Sequence, residues 1–498
     1  MEEESYELVN PSTLAPHSPY LYGTWRRALA RPVSLCGDSL GPRGVAEFPI
    51  KARLAHPASE EGHGVDGAMD STLSSTISSI HELSDSPTNL KELLGILQQR
   101  EDQLIQMLPE LDGAMQALTP AAHTLGLVFI LHCKAAAVPL SQPQAVHVFM
   151  GQCRRMLLGC DPQQVQMVPS QFVAVCTKFT ASAIALKSPL AAVAPLRVAA
   201  RALQPTPSHF TPLHAEFLKV CILSKCYFAA QALLEHDLLQ VDRDATLVAP
   251  RDLLLYHYYS GIVQTGLKQY RSAIQNFTLC ISAPTQVLNT IMIEAYKKCL
   301  LCSLVETGKV PKLPKYTSPT ITRAIKNQLP AYTEFAEAFS VGNGAELQAA
   351  LDKHVRTFTE DRNLGLAKRC LAALVRRSVH ALTETYLTLS LPDIAQKIKL
   401  PVAAAAESTT RDMIVSGEIH ASIDEDKGMV LFRERSEQYD SKDSLVAMEA
   451  ALGKAISLAS RLHELHGSLS VDQNYLMRMS THERSQPQFD EDAMLLSK

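Results

Sequence analysis

The fold is decided by residues 387–432. They read Leu387-Thr388-Leu389-Ser390-Leu391-Pro392-Asp393-Ile394-Ala395-Gln396-Lys397-Ile398, then Ala403–Val415, then Glu418-Ile419-His420-Ala421-Ser422-Ile423 and Met429-Val430-Leu431-Phe432. Ser390 followed three residues later by Asp393 is a capping-box-like helix start, and Pro392 falls in the first turn, where proline is tolerated. A second helix is predicted over Ala403–Val415, ending near Gly417. Residues 418–423 then alternate with period two, and Met429–Phe432 form a second short apolar run. The link Asp424-Glu425-Asp426-Lys427-Gly428 is polar and ends in Gly, so the pair is read as a β-hairpin. A preceding helix closes with Leu382, Tyr386 and Leu387. Three helices and a hairpin make a winged-helix module over about 381–435.

Upstream, the pattern is helix after helix. Leu90, Leu93, Leu94, Leu97, Leu104, Ile105 and Leu108 recur at three- and four-residue steps, and Phe172, Val175, Cys176, Phe179, Ile184 and Leu186 continue the pattern. Pro109, Pro120, Pro139, Pro143, Pro162 and Pro169 punctuate it. Gly261, Tyr270, Ala273 and Phe277 are spaced like the small and large packing residues of a tetratricopeptide unit. Tyr227, Ala230 and Leu234 echo the last three at a constant shift of 43 residues. The turn Thr307-Gly308-Lys309 lies at a comparable distance beyond Thr265-Gly266-Leu267. The expected architecture is mainly α: an α-solenoid of tetratricopeptide-like repeats over 69–269 leading into the winged helix. Chance recurrence in an Ala- and Leu-rich chain is the alternative.

Downstream, Leu445, Met448, Leu452, Ala455, Ala459, Leu462 and Leu469 keep the three–four spacing of a long helix over 440–470. Two coverings of this stripe are open, its own winged helix or a bundle with partner subunits. A polar tail over 481–498 is expected to be disordered. So are residues 1–68, which are rich in Pro, Gly, Ser and Arg, hold Trp25, and show no apolar period. That extension reads as a gene-model artefact with Met69 as the start, a regulatory tail, or, against its acidic Met1-Glu2-Glu3-Glu4 beginning, a transit peptide.

The 498 residues carry 47 Lys+Arg against 51 Asp+Glu, a formal net charge of −4, and this leaves no basic footprint for nucleic acid. No apolar run is long enough for a spanning helix. Eleven scattered cysteines suggest no disulfide framework, and the start lacks a secretory pattern, so a soluble intracellular chain is expected.

Candidate chemistry is sparse. Gly37-Asp38-Ser39-Leu40-Gly41 matches the nucleophile-elbow pattern but has no strand before it. Cys299 and Cys302 form a lone C-x-x-C inside an apolar helix, with no second ligand pair at zinc spacing. His463 and His466 stand three apart rather than four, unlike the zincin pair, and no third ligand follows. The helix Ala403–Val415 carries one Arg against Glu407 and Asp412, and the wing carries Asp424, Glu425 and Asp426, so a phosphate-facing role is poorly served. No catalytic, cofactor or metal site is expected, and neither nucleic acid nor membrane is expected as a partner.

Helical repeats running into a winged helix resemble the PCI family, found in the proteasome lid, translation initiation factor three and the COP-nine signalosome. Gly266-Leu267-Lys268-Gln269-Tyr270, Glu294-Ala295-Tyr296-Lys297-Lys298, Leu313-Pro314-Lys315-Tyr316-Thr317-Ser318 and Gly417-Glu418-Ile419 are most similar to the family of the third signalosome subunit. The resemblance implies a PCI domain over 270–435 and a non-catalytic scaffold in a nuclear and cytoplasmic complex that removes Nedd-eight from cullins. A subunit of the proteasome lid or of initiation factor three is the alternative. Partners would be other PCI and metalloprotease-like subunits, met through a winged-helix ring and a C-terminal helical bundle, with cullin-RING ligases reached indirectly. The expected interface residues are Ile419, Ala421, Ile423, Val430 and Phe432, which set the wing, and Leu445, Met448, Leu452 and Leu462, which anchor the bundle.

Overall fold

The computed structural model describes residues 66–480, apart from 85–86, 107, 236–237, 239, 243–245, 285–288, 399–402, 425–426, 434–440, 474 and 478. The readings made for residues 1–65, Gly37–Gly41 among them, and for the tail from 481 lie outside the described residues. The chain forms two compact units that divide between Ser378 and Val379.

The first unit is a succession of helices, including Asp66–Leu83, Pro143–Gly159, Pro169–Ala185, Pro212–Leu223, Pro250–Gly266, Tyr270–Ser282 and Thr290–Glu306. Consecutive helices pack on one another. Pro143, Pro162, Pro169, Pro212, Pro250, Pro319 and Pro330 each open a helix, where the missing N–H costs nothing. Pro195 departs from this rule and sits inside Leu190–Leu203, buried.

One turn recurs. Lys187, Lys225, Lys268 and Arg362 follow helix ends with φ of 55°, 58°, 61° and 58°. At each, the next residue's N–H donates to a carbonyl five residues back: Ser188 to Ala183 and Cys226 to Cys221 at 2.9 Å, Gln269 to Gln264 and Asn363 to Phe358 at 2.8 Å. This is the Schellman closure, which satisfies carbonyls the helix leaves without partners. It offsets the 1–2 kcal/mol or so that a left-handed conformation costs an L-residue. In the 250–282 pair the left-handed residue is Lys268, two beyond Gly266. Lys225 and Lys268 preserve the shift of 43 seen in Tyr227 and Tyr270. Gly308, φ 69°, stands two residues beyond Glu306 as Lys268 stands beyond Gly266, and the Arg377 guanidinium packs where a Cβ would be, with Nε 2.2 Å from that position.

Two apolar clusters fill this unit. One runs from Ile80 to Val263 and the other from Leu254 to Leu374. Ala230, Ala273 and Phe277 are fully buried, and the small residue opposite Phe277 is Gly261, whose Cβ would stand 2.5 Å from Cε1 of the ring. Gly261→Ala is therefore expected to destabilise the chain by about 1–3 kcal/mol through overpacking. A thermal melt should show the loss, and Gly261→Ala/Phe277→Leu should recover part of it. Full additivity of the two substitutions would contradict the contact.

The second unit holds the winged helix. Thr388–Ser390 (β1), Ala421–Asp424 (β2) and Met429–Phe432 (β3) form an antiparallel sheet in the order β1-β3-β2. Leu389, Val430 and Ile423 lie in one row across it. β1 was not foreseen, since three residues entering a helix carry too little alternation to read. The helices Leu391–Ile398 and Ala403–Val415 pack on each other. Ser390 caps the first, accepting from the Asp393 N–H at 3.2 Å and donating to its carboxylate at 2.6 Å. Gly417 and Gly428, φ 71° and 61°, turn the chain into and within the hairpin. Val379, Leu389, Ile394, Ala406, Met413, Ile419, Val430 and Phe432 belong to the module's own core.

Candidate interaction site

The terminal helix spans Lys442–Val471, capped by Ser441, whose Oγ accepts from the Ser444 N–H at 3.1 Å. Leu445, Met448, Leu452, Ala455, Ala459, Leu462 and Leu469 fall at a and d positions of successive heptads, and Ile456, Leu458 and Leu465 widen the stripe at e and g. Over 30 residues, a helix of about 45 Å, no side chain is buried. Leu452 and Leu462 are 63% and 68% exposed. Leu445 and Met448 are exposed as well. The winged helix therefore does not cover this stripe. An apolar face of such length is far larger than scattered surface leucines account for.

The hairpin residues are placed differently. Ile419, Val430 and Phe432 are buried in the module's core, and Ala421 and Ile423 are half-buried against it. They fix the shape of the wing from within. What the sheet turns outward from β3 is Leu431, opposite Thr388 and Ser422. β2 is an edge strand, with its second side unpaired among the described residues. Such an edge can accept a further strand.

The remaining candidates resolve on geometry. Cys299 and Cys302 are fully buried in Thr290–Glu306, where Sγ of Cys302 lies 3.4 Å from Oγ1 of Thr265. Burial pushes the two thiols up to about 12 and about 11, so both stay protonated and inert. No group of three or more His, Cys, Asp or Glu positioned to hold a metal occurs among the described residues. In Ala403–Val415, Arg411 is bound to Glu407 at 2.7 Å, while Ala406, Thr410 and Met413 face the module core.

Sequence reasoning missed what Glu294-Ala295-Tyr296-Lys297-Lys298 does. Lys297 reaches both Glu294 and Asp361 at 2.7 Å, and Asp361 also accepts from the Tyr332 hydroxyl at 2.8 Å. Burial works against the Lys297 charge, but these two carboxylates hold its pKa above the usual lysine value. Half-buried Lys298 donates to Asn363 at 2.8 Å, and burial lowers its pKa. The motif thus ties a repeat helix to the turn at Arg362. The helix Leu364–Thr385 adds two latches, from Arg369 to the Tyr270 hydroxyl at 2.5 Å and from Arg377 to the Glu306 carbonyl at 3.5 Å.

Residues 87–321 match the family described as COP9 signalosome complex subunit 3, N-terminal helical repeats, and residues 351–434 match the PCI domain. The chain is 35% identical to COP9 signalosome complex subunit 3 of Dictyostelium discoideum over 398 residues, 79% of this chain and 93% of that protein. It is 34% identical to the Arabidopsis thaliana protein of the same name over 427 residues, 86% of this chain and 97% of the other.

Proposed function

The chain belongs to the COP9 signalosome subunit 3 family, and on that premise we propose that it is a non-catalytic scaffold subunit of a signalosome that removes Nedd-eight from cullins. The observation that carries the reading is the terminal helix, an a/d stripe rich in leucine that no described residue covers. Removing such a stripe from water favours association at roughly 25 cal/mol per Å². In this reading Leu445, Met448, Leu452 and Leu462 enter a bundle with helices of other PCI and metalloprotease-like subunits. Ile419, Ala421, Ile423, Val430 and Phe432 hold the wing in the shape that offers the β2 edge and Leu431 to a neighbouring wing. The zinc isopeptidase centre belongs to another subunit, cullin-RING ligases are reached through the assembly, and the chain works in nucleus and cytoplasm.

An affinity pull-down of the tagged chain tests this, with mass spectrometry and a Nedd-eight–cullin cleavage assay on the eluate. A stoichiometric multi-subunit particle with zinc-dependent cleavage is expected. Recovery of proteasomal or ribosomal particles in its place would overturn the assignment.

A further inference from the structure

Between Glu306 and Glu334 the chain carries Lys309, Lys312, Lys315, Arg323 and Lys326 and no acidic residue, although the whole chain has a net charge of −4. Its first part is a tandem, Lys309-Val310-Pro311-Lys312-Leu313-Pro314-Lys315. Each Pro fixes its own φ and presses the residue before it into extended backbone. On extended backbone three residues span about 9 Å at 3.1 Å per residue, so the lysines follow one another closely along the segment.

This segment is a strap rather than a loose loop. Ser303 Oγ donates to the Lys309 carbonyl at 2.7 Å, Leu313 packs against the second apolar cluster, and the Thr317 N–H closes on the Pro314 carbonyl at 3.0 Å. Thr317 is itself buried. Lys309, Lys312 and Lys315 remain exposed, as do Arg323 and Lys326 on the following helix Pro319–Gln328, which turns Ile321 and Ile325 inward. None of the five has an ion-pair partner among the described residues. Tyr316 beside them is 72% exposed.

We infer that the strap Lys309–Lys315 is a docking surface for an extended, Asp/Glu-rich segment of a partner protein. The strap is already ordered, so binding would cost little conformational entropy on this side. Exposed ammonium groups three residues apart in sequence supply attraction without desolvating a buried charge. A peptide is favoured over nucleic acid because three lysines on one short strap offer few phosphate contacts, whereas nucleic-acid affinity grows with the number of phosphates neutralised. The inference does not depend on the bundle reading, since it concerns a different unit of the chain.

The test is fluorescence anisotropy with the full chain and a short fluorescein-labelled peptide carrying Glu at every third position. Binding that weakens with salt is expected. Lys309→Glu/Lys312→Glu/Lys315→Glu should weaken it at least about tenfold, and the corresponding Gln variant should do so to a lesser degree. Lys187→Glu/Lys225→Glu/Lys268→Glu reverses the same charge elsewhere and should keep most of the affinity. Circular dichroism melts check that each variant is folded. Absence of binding, equal loss in both triple-Glu variants, or tighter binding of a short single-stranded RNA through the same lysines would overturn the proposal.

Discussion

Leu452→Asp is expected to abolish incorporation of the chain into its complex while leaving the isolated chain as stable as before. Leu452 is 63% exposed on a helix with no buried residue, so the free chain loses almost nothing when the leucine goes. Surface substitutions of this kind stay within about 0.5 kcal/mol. In a bundle the same position is enclosed. The substitution then forfeits about 1.5–3 kcal/mol of apolar burial and adds the cost of a carboxylate with no partner. A total of about 4 kcal/mol corresponds to roughly a thousandfold loss of affinity. Ser457→Asp supplies the control, because it lies at an f position of the same heptad, away from the a/d stripe. Size-exclusion chromatography of the affinity-purified particle should retain Ser457→Asp and lose Leu452→Asp, with matching thermal melts for the two free chains. Equal recovery of both would remove the terminal helix from the interface.

That contrast also marks what could be read from residues alone. The heptad spacing of Leu445, Met448, Leu452 and Leu462 is visible in the sequence, since periodicity says which side chains share a face. It does not say what covers the face, because covering is a property of the neighbours. The hairpin was legible for the same reason, and so was the Ser390–Asp393 cap, where the side-chain chemistry is local. Gly261 opposite Phe277 could be read because a small residue facing a ring leaves a spacing signature. The left-handed turn residues could not. Lysine at 187, 225 and 268 gives no sign of positive φ, and only the backbone hydrogen bonds across each turn disclose it. β1 was hidden by its length, and Pro195 by the rule that breaks helices at proline, which its buried place in Leu190–Leu203 overrides. The network around Lys297 was hidden because Asp361 lies far along the chain from the motif it completes.

Val430→Asp is expected to unfold the winged helix and spare the helical repeats. Val430 is fully buried at the centre of β3, with Leu389 on one side and Ile423 on the other. An aspartate there meets no buried cation among the described residues of this unit: the cluster around it consists of Val379, Ile394, Met413 and other apolar side chains. An unpaired polar group in such surroundings costs several kcal/mol, and a charge costs more until it takes up a proton. A module this small has only about 5–15 kcal/mol of stability to lose. The core that fails contains none of the residues that make up the two clusters of the repeats. Hydrogen exchange should therefore speed up over 388–432 while 212–306 keeps its protection. Leu431→Asp is the sharp comparison, because successive strand residues face opposite ways. Leu431 is 41% exposed, so its replacement should leave exchange in the module nearly unchanged. If Leu431→Asp nonetheless weakens assembly, the loss lies in what the wing presents and not in whether it folds. If Val430→Asp leaves exchange unchanged, the assigned register of β3 is wrong by one residue.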